Sequence, residues 1–288
     1  MSVAPKRTPS PESFRPRSDV LFYLSFGIIG GTYIVLIVLM LVAEGSYSTV
    51  ESFTKALGNR NVQYSIRLSL LSCTLTTILS LWVAVPIGYL MSRHNFRGKA
   101  FIDAVLDIPI VLPPLVIGLC LLIMFQTPPG KAVEAGFERI TEYLFGRKIG
   151  ITFEVPSVIL AQFMVACAFA VRTMRVTFDQ IHPRYEKVAL TLGCNQSQAF
   201  WLVIFPQASR GLLAAATLAW ARSLGEFGPI LIFSGATHMK TEVLPTTVYL
   251  EMQVGSIEGA AAASLIMVIA AMAVLIVARV FGLKRMAI

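Results

Sequence analysis

Two ionisable residues lie well inside a mostly apolar stretch of this sequence, from about 208 to 233. Arg222 and Glu226 flank Ser223, Leu224 and Gly225 in that stretch. A spacing of four places both charged side chains on one face of a helix, where they can pair. Ionisable groups in such segments are costly, and they mark either a transport pathway or a pair that pins helices together. Both interpretations stay open at the level of the residues.

Residue types that serve catalysis are scattered elsewhere along the chain. The three histidines, His94, His182 and His238, fall near loops and far from one another. The four cysteines form no C-x-x-C pair, so neither a disulfide framework nor a metal site is indicated. The glycine loop G-x-x-x-x-G-K-[ST], which cradles phosphates, is missing from the sequence. We therefore expect no catalytic residue, no metal and no cofactor in this chain.

A second pattern occupies the polar region from about 173 to 206. Its first part can continue the preceding helix as far as 181, and His182 and Pro183 then interrupt it. The run after the interruption favours a helix that ends at Gly193, because glycine accepts the left-handed conformation of a helix terminus.

A second short helix is expected to follow this glycine. Asn195 is a suitable amino-terminal cap, and Pro206 is expected to stop the helix. Two short helices joined at a glycine form a compact knob, in which Phe200 and Trp201 offer apolar anchors for a partner.

The elements that must position these residues are membrane helices. Hydrophobic residues make up 56% of the chain and charged residues only 14%, against about 25% charged in soluble domains. A span needs about 20 apolar residues, and backbone groups in lipid must be paired within their own segment. Six segments qualify as helices in contact with lipid: about 20–43, 65–91, 104–126, 151–172, 208–233 and 257–281. The sequence thus predicts an all-α membrane protein with six transmembrane helices and a cytoplasmic two-helix loop.

Helix-breaking residues occur in several of these segments, and Pro86 lies within the second. Pro113 and Pro114 lie within the third, and Gly225, Gly228 and Pro229 lie within the fifth. Such breaks are tolerated where neighbouring helices or a wet cavity satisfy the freed backbone groups. We expect Pro113, Pro114, Gly225 and the charged pair to line a pathway or to hold helices together.

Orientation follows from the distribution of lysine and arginine. If the amino terminus is cytoplasmic, the loops on that side hold 15 basic residues and the loops on the other side hold 8. The side with more basic residues is normally cytoplasmic, so both termini are expected inside. The net charge of +8 therefore reports membrane topology rather than nucleic-acid binding. Residues 1–18 are polar and are expected to form a flexible cytoplasmic arm ahead of a membrane domain from 19 to 288.

The stretch Glu186–Pro206, which reads EKVALTLGCNQSQAFWLVIFP, resembles the EAA loop of the permease subunits of ATP-binding-cassette importers. Ala189, Leu192 and Gly193 fit that motif, and Pro206 follows Gly193 by thirteen positions. The resemblance implies that the loop docks on a separate ATPase subunit, with Glu186, Ala189, Leu192, Gly193, Phe200 and Pro206 as its coupling residues. ATP is then bound by the partner and not by this chain.

The run ARSLGEFG at 221–228 and the later sequence Thr241–Thr247 resemble the molybdate and sulfate branch of these permeases. This resemblance covers about residues 60–280. It implies a homodimer in the inner membrane that works with two ATPase subunits and an external binding protein, importing a tetrahedral oxyanion by alternating access. Molybdate or tungstate is the expected cargo, with sulfate or thiosulfate as the alternative.

An ion-coupled secondary transporter is the rival of a different class. That mechanism needs carboxylates near the bilayer midplane or an inverted repeat. Glu226 is the one carboxylate placed clearly deep in an apolar segment, and no internal repeat is evident.

Overall fold

The structure is a computed structural model that describes residues 19–47 and 50–284. The predicted arm at 1–18 and the last four residues lie outside this range. The chain divides into two compact units, one up to Ser46 and one from Tyr47 onward, and each is described by itself. The described helices are α1 (Val20–Tyr47), α2 (Val50–Gly58), α3 (Arg60–Arg93), α4 (Lys99–Val111), α5 (Pro114–Gln126), α6 (Pro128–Phe145), α7 (Val155–Gln180), α8 (Arg184–Thr191), α9 (Gln196–Ala199), a π-helical turn (Phe200–Ile204), α10 (Phe205–Gln207), α11 (Ser209–Leu224), α12 (Gly228–Phe233), α13 (Leu244–Gln253) and α14 (Ile257–Lys284).

The all-α membrane architecture predicted from the sequence is confirmed. In the described part of the chain, α1, α3, α7 and most of α14 are each long and apolar enough to cross a membrane. Two bent pairs bring the number of candidate spans to six if each pair counts as one. One pair is α4 with α5, bent by 110°, and the other is the helical run 196–207 with α11, bent by 70°.

The predicted span boundaries need correction in two places. The third segment, expected at 104–126, is two helices, because α4 ends at Val111 and Pro114 starts a new helix in another direction. The fifth segment, expected at 208–233, breaks after Leu224 and resumes at Gly228. Since α11 has only 16 residues, or about 24 Å of helix, it falls short of a bilayer core of about 30 Å.

The core of the second unit is built on α3, α7 and α11. A buried face of α3 carries small and hydroxyl side chains at helical spacing, which let neighbouring helices approach closely in a membrane. Its members are Ser65, Ser69, Ser72, Cys73, Thr76, Thr77, Ser80, Ala84 and Gly88. At Gly88 a side-chain carbon would lie 2.9 Å from the backbone nitrogen of Arg175 and from Cβ of Met174, so α3 and α7 nearly touch there. These three helices therefore form a tightly packed centre to which the broken spans attach.

Candidate functional site

The break between α4 and α5 lies beside the break between α11 and α12. These are the breaks in the third and the fifth predicted segments. A side-chain carbon at Gly118 in α5 would lie 2.8 Å from both Cα and the carbonyl oxygen of Pro229 in α12. One at Gly228 would lie 3.1 Å from the backbone nitrogen of Leu115. Glycine is needed at both positions because backbone meets backbone there. The start of α5 and the start of α12 are thus locked side by side.

A cavity of about 310 Å³ opens at this meeting point. All five residues predicted as a pathway or an intramembrane pair line it: Pro113, Pro114, Arg222, Gly225 and Glu226. Two breaks more than a hundred residues apart in sequence therefore form one site. The sequence could predict each break, but it could not predict that the two face each other.

The predicted ion pair is present in this site. Arg222 Nη2 donates to Glu226 Oε1 over 2.7 Å. The Glu226 side chain is only 3% exposed, whereas that of Arg222 is 36% exposed, so the arginine is the more accessible of the two lining residues. The guanidinium carbon of Arg222 also lies 5.0 Å from the ring centroid of Phe169, within range of a cation–π contact. The pair neutralises a buried carboxylate and presents one cation at the edge of the cavity.

Gln162 is a site residue that the sequence reasoning missed. It is buried in α7, and its Nε2 donates to the carbonyl oxygen of Ser223 over 3.1 Å at the end of α11. Its Oε1 accepts from the Thr76 hydroxyl of α3 over 3.2 Å. One amide therefore ties three helices together next to Arg222. The only sequence signal was a glutamine inside an apolar segment.

The predicted knob between α7 and α11 is present, with the predicted glycine turn and the predicted helix cap. α7 ends at Gln180, α8 follows Pro183, and Gly193 adopts a positive φ of +94°. Asn195 caps the next helix: its side chain accepts from Gln198 N over 2.8 Å, and the Gln198 side chain accepts from Asn195 N over 2.9 Å. We call residues 184–207 the coupling loop.

The prediction that Pro206 stops the second helix was wrong. The helical run continues from Gln196 to Gln207 and bends only after it. A π-helical turn precedes the proline, in which Phe205 N donates to the carbonyl of Phe200 five residues back. Such a turn widens the helix and gives the proline ring room. It also changes the hydrogen-bond spacing at the position where proline has no N–H to donate.

Three of the predicted coupling residues pack against the rest of the chain. Glu186 is 8% exposed, Ala189 is 5% exposed, and the Phe200 ring packs against Tyr89 with centroids 4.8 Å apart. Phe200, which the sequence predicts as an interface anchor, is partly buried and packs against the apolar cluster around Phe178 of α7.

Glu186 is bound by three side chains. Its Oε1 accepts from the Tyr89 hydroxyl over 2.6 Å and from the Gln196 amide, and its Oε2 lies 3.3 Å from Arg93 Nε. Arg93 also donates to the carbonyl of Ile181 over 2.9 Å, at the junction between α7 and α8. The carboxylate thus attaches the coupling loop to the carboxyl-terminal end of α3.

The outward side of the coupling loop exposes several apolar side chains. Tyr185, Val188 and Leu192 are 54%, 55% and 80% exposed, and their spacing of three and four puts them on one side of α8. Trp201 and Leu202 are exposed farther along the loop. Of the predicted coupling residues, Leu192, Gly193 and Pro206 are exposed, and Gly193 shapes the turn beside Leu192.

The Thr241–Thr247 segment contains a third buried carboxylate. Glu242 is 1% exposed and accepts from the Thr247 hydroxyl over 2.9 Å, and His238 Nδ1 lies 2.8 Å from its other oxygen. Leu244 N donates to the Ser69 hydroxyl of α3 over 2.8 Å. These contacts fasten the loop after α12 to the central helices.

Residues 84–285 match the family described as the inner membrane component of binding-protein-dependent transport systems, and this is more than half of the chain. The chain belongs to this family. The matched region includes the coupling loop and both broken spans.

Curated relatives agree with this membership. The chain is 29% identical over 248 residues to the sulfate transport system permease protein CysW of Synechocystis sp., covering 85% of this chain and 87% of the relative. It is 31% identical over 216 residues to the molybdate/tungstate transport system permease protein WtpB of Pyrococcus abyssi, covering 74% and 78%.

The fold is also shared with a chain of a solved transporter. The chain matches a subunit in the crystal structure of a bacterial alginate ABC transporter in complex with its alginate-pentasaccharide-bound periplasmic protein. The TM-score is 0.70 at 14% identity, covering 90% of this chain and 93% of that one. At this identity the likeness shows a shared fold and nothing about cargo.

Proposed function

We propose that this chain is the translocating subunit of an ATP-driven importer for a tetrahedral oxyanion, with molybdate or tungstate as the cargo. The observation that carries the proposal is the build of the coupling loop. It is fixed to α3 and α7 on one side and offers the apolar face of Tyr185, Val188 and Leu192 on the other. Such a face on a rigid cytoplasmic knob fits a partner that moves as a rigid body, namely a separate ABC ATPase subunit.

The partners follow from this division of labour. An external binding protein delivers the oxyanion, as the family description implies. Two copies of the chain form a symmetric pair with the pathway on their shared axis, each copy bearing one coupling loop and one ATPase. Both termini lie in the cytoplasm.

Transport proceeds by alternating access. ATP binding draws the two ATPase subunits together, and each coupling loop moves with its subunit. Because the loop is anchored to α3 and α7, the displacement reaches the cavity where the two breaks meet. The helices α5 and α12, which stay in contact, then move together, and the cavity opens to the other side of the membrane.

The chemistry of the cavity suits passage rather than tight binding. Arg222 attracts a dianion, while its pairing with Glu226 keeps that attraction weak. A strong fixed charge would hold a dianion too firmly for release, and conduction requires that the ligand leave.

Sulfate is the second candidate cargo, because one of the relatives described above is a sulfate permease at comparable identity. Membership in the binding-protein-dependent family leaves no observation in favour of an ion-coupled secondary transporter.

The test is uptake into proteoliposomes that contain this chain with its cognate ATPase, with ATP inside and the binding protein outside. We expect labelled molybdate to accumulate only with ATP. Tungstate should block the uptake at equal concentration and sulfate only in large excess. Equal competition by sulfate would favour the sulfate assignment, and a failure of every oxyanion to enter would overturn the cargo class.

A further inference from the structure

The helix α4 is held to the protein by few contacts. None of its residues is buried, and among the described helices it packs mainly against α7. The helix is interrupted at both ends. Gly98 before it has a φ of +91°, and the Pro113–Pro114 break follows it. The chain turns by 110° at that break. An element of this kind follows whichever neighbour it is attached to.

Two ion pairs attach α4 to α7. Asp103 accepts from Arg175, and Asp107 Oδ1 lies 3.7 Å from Arg172 Nη1. The two aspartates are four residues apart and therefore lie on one face of α4. The two arginines are three residues apart and lie on one face of α7. Asp179 lies 3.9 Å from Arg175 on the same side of α7. We call these five residues the ionic clamp.

The clamp supplies the charged contacts between α4 and α7. A cavity of about 290 Å³ lies between the two helices, and the residues of the clamp line it. Apolar packing is thin there: Leu106 of α4 reaches the core cluster, while Phe101 and Val105 are exposed. With little buried surface, the relative position of the helices depends on the charges.

On its other side, α7 is joined stiffly to the coupling loop. Met174 and Phe178 are fully buried, and Gly88 of α3 touches the α7 backbone beside Arg175. Arg93 binds the carbonyl of Ile181 where α7 passes into the loop. Displacement of the loop therefore carries the clamp residues of α7 with it.

We propose that the ionic clamp makes α4 move with α7, so that displacement of the coupling loop is delivered to the Pro113–Pro114 break and from there to the cavity. Asp103, Asp107, Arg172 and Arg175 are positioning residues in this role, since they act through the break and do not touch the cargo. The inference rests on the proposed function, because it presumes that ATP drives the loop.

The first test exchanges the charges of the more enclosed pair. Asp103→Arg and Arg175→Asp are each introduced alone and then together, in the assembled complex with ATPase and binding protein. The readout is the amount of molybdate imported per ATP hydrolysed. Each single reversal should lower this ratio about tenfold, a coupling of ordinary size, while hydrolysis continues. The double exchange should restore most of the loss, because the pair is rebuilt with opposite polarity.

The matched control is the exposed pair of Glu142 and Lys148 near the end of α6, 3.7 Å apart. Its single and double charge exchanges should leave the ratio unchanged. Wild-type ratios in the Asp103 and Arg175 single variants would overturn the clamp. Absence of ATP-dependent uptake in the wild-type complex would instead overturn the proposed function.

A covalent crosslink between the two helices provides a second test, which does not depend on the assembly of the charge-reversal variants. Asp103→Cys and Arg175→Cys are combined in a chain whose native cysteines are replaced by serine, and a short bifunctional maleimide joins the two helices. If α4 and α7 move together, the crosslinked complex should still import molybdate at a rate close to that before crosslinking. Loss of transport on crosslinking would mean that the helices move against each other, and the inference would be wrong.

Discussion

At the scale of single residues, the inward-facing Glu186 is the clearest difference from what the motif suggested. Replacing Glu186 by Gln leaves the Arg93 guanidinium, 8% exposed, without its counter-charge. Removing one partner of a buried ion pair costs about 3–5 kcal/mol. We expect the midpoint of thermal unfolding of the purified protein to fall by several degrees.

The exposed pair on α6 supplies the comparison for this variant. Glu142→Gln removes a charge that is 52% exposed, where an ion pair contributes at most about 1 kcal/mol. Its melting midpoint should stay near that of the wild type. Equal midpoints for the two variants would contradict the anchoring role of Glu186.

Gly193 makes a second prediction at this scale. Its φ of +94° disfavours a β-branched side chain by about 1–3 kcal/mol, although a side-chain carbon there would meet no atom within 4 Å. Gly193→Val should therefore uncouple ATP hydrolysis from uptake by distorting the turn, whereas Gly193→Asn should retain coupling, because asparagine accepts positive φ more readily.

Gly146→Val is the matched control for the glycine. Gly146 also has positive φ, +65°, and open space around it, but it ends the surface helix α6. The same backbone strain there should reduce stability without changing the number of oxyanions moved per ATP. If Gly193→Val couples normally, the loop does not transmit force.

At the scale of elements, the crossing of the broken spans depends on Gly118. A methyl group there would lie 2.8 Å from backbone atoms of Pro229, which cannot move aside as a flexible side chain could. We expect Gly118→Ala to separate α5 from α12 and to abolish most of the uptake, measured in the reconstituted complex. Gly136→Ala in α6, where no atom lies within 4 Å, should be neutral or slightly stabilising, since alanine favours helix by about 1 kcal/mol. Full uptake by the Gly118 variant would show that the crossing is not required.

At the scale of the whole molecule, the excess of basic residues predicts which side each loop faces. Cys194 beside Gly193 is partly exposed and can report this in a chain whose other three cysteines are alanine. A membrane-impermeant maleimide should label Cys194 in inside-out vesicles but not in intact cells. Introducing Cys at Glu142 in a chain that also lacks Cys194 should give the opposite pattern. Labelling of Cys194 from outside the cell would invert the proposed topology.

The sequence by itself determined the features that depend on local chemistry. Apolar length gives the spans, because lipid offers no partner for free backbone groups. Pro113, Pro114 and Gly225 mark the breaks, and Gly193 with the Asn195 cap marks the turn of the coupling loop, since these residues act through their own backbone.

Only the tertiary structure decided which of these features meet and which side of each faces inward. Glu186 faces inward because Tyr89 and Arg93, about a hundred positions earlier in the chain, receive it. Gln162 joins three helices, and Asp103 meets Arg175, through contacts between distant segments. Such contacts depend on how whole helices cross, which is set by the summed packing of many small side chains and leaves no pattern in any one stretch of sequence.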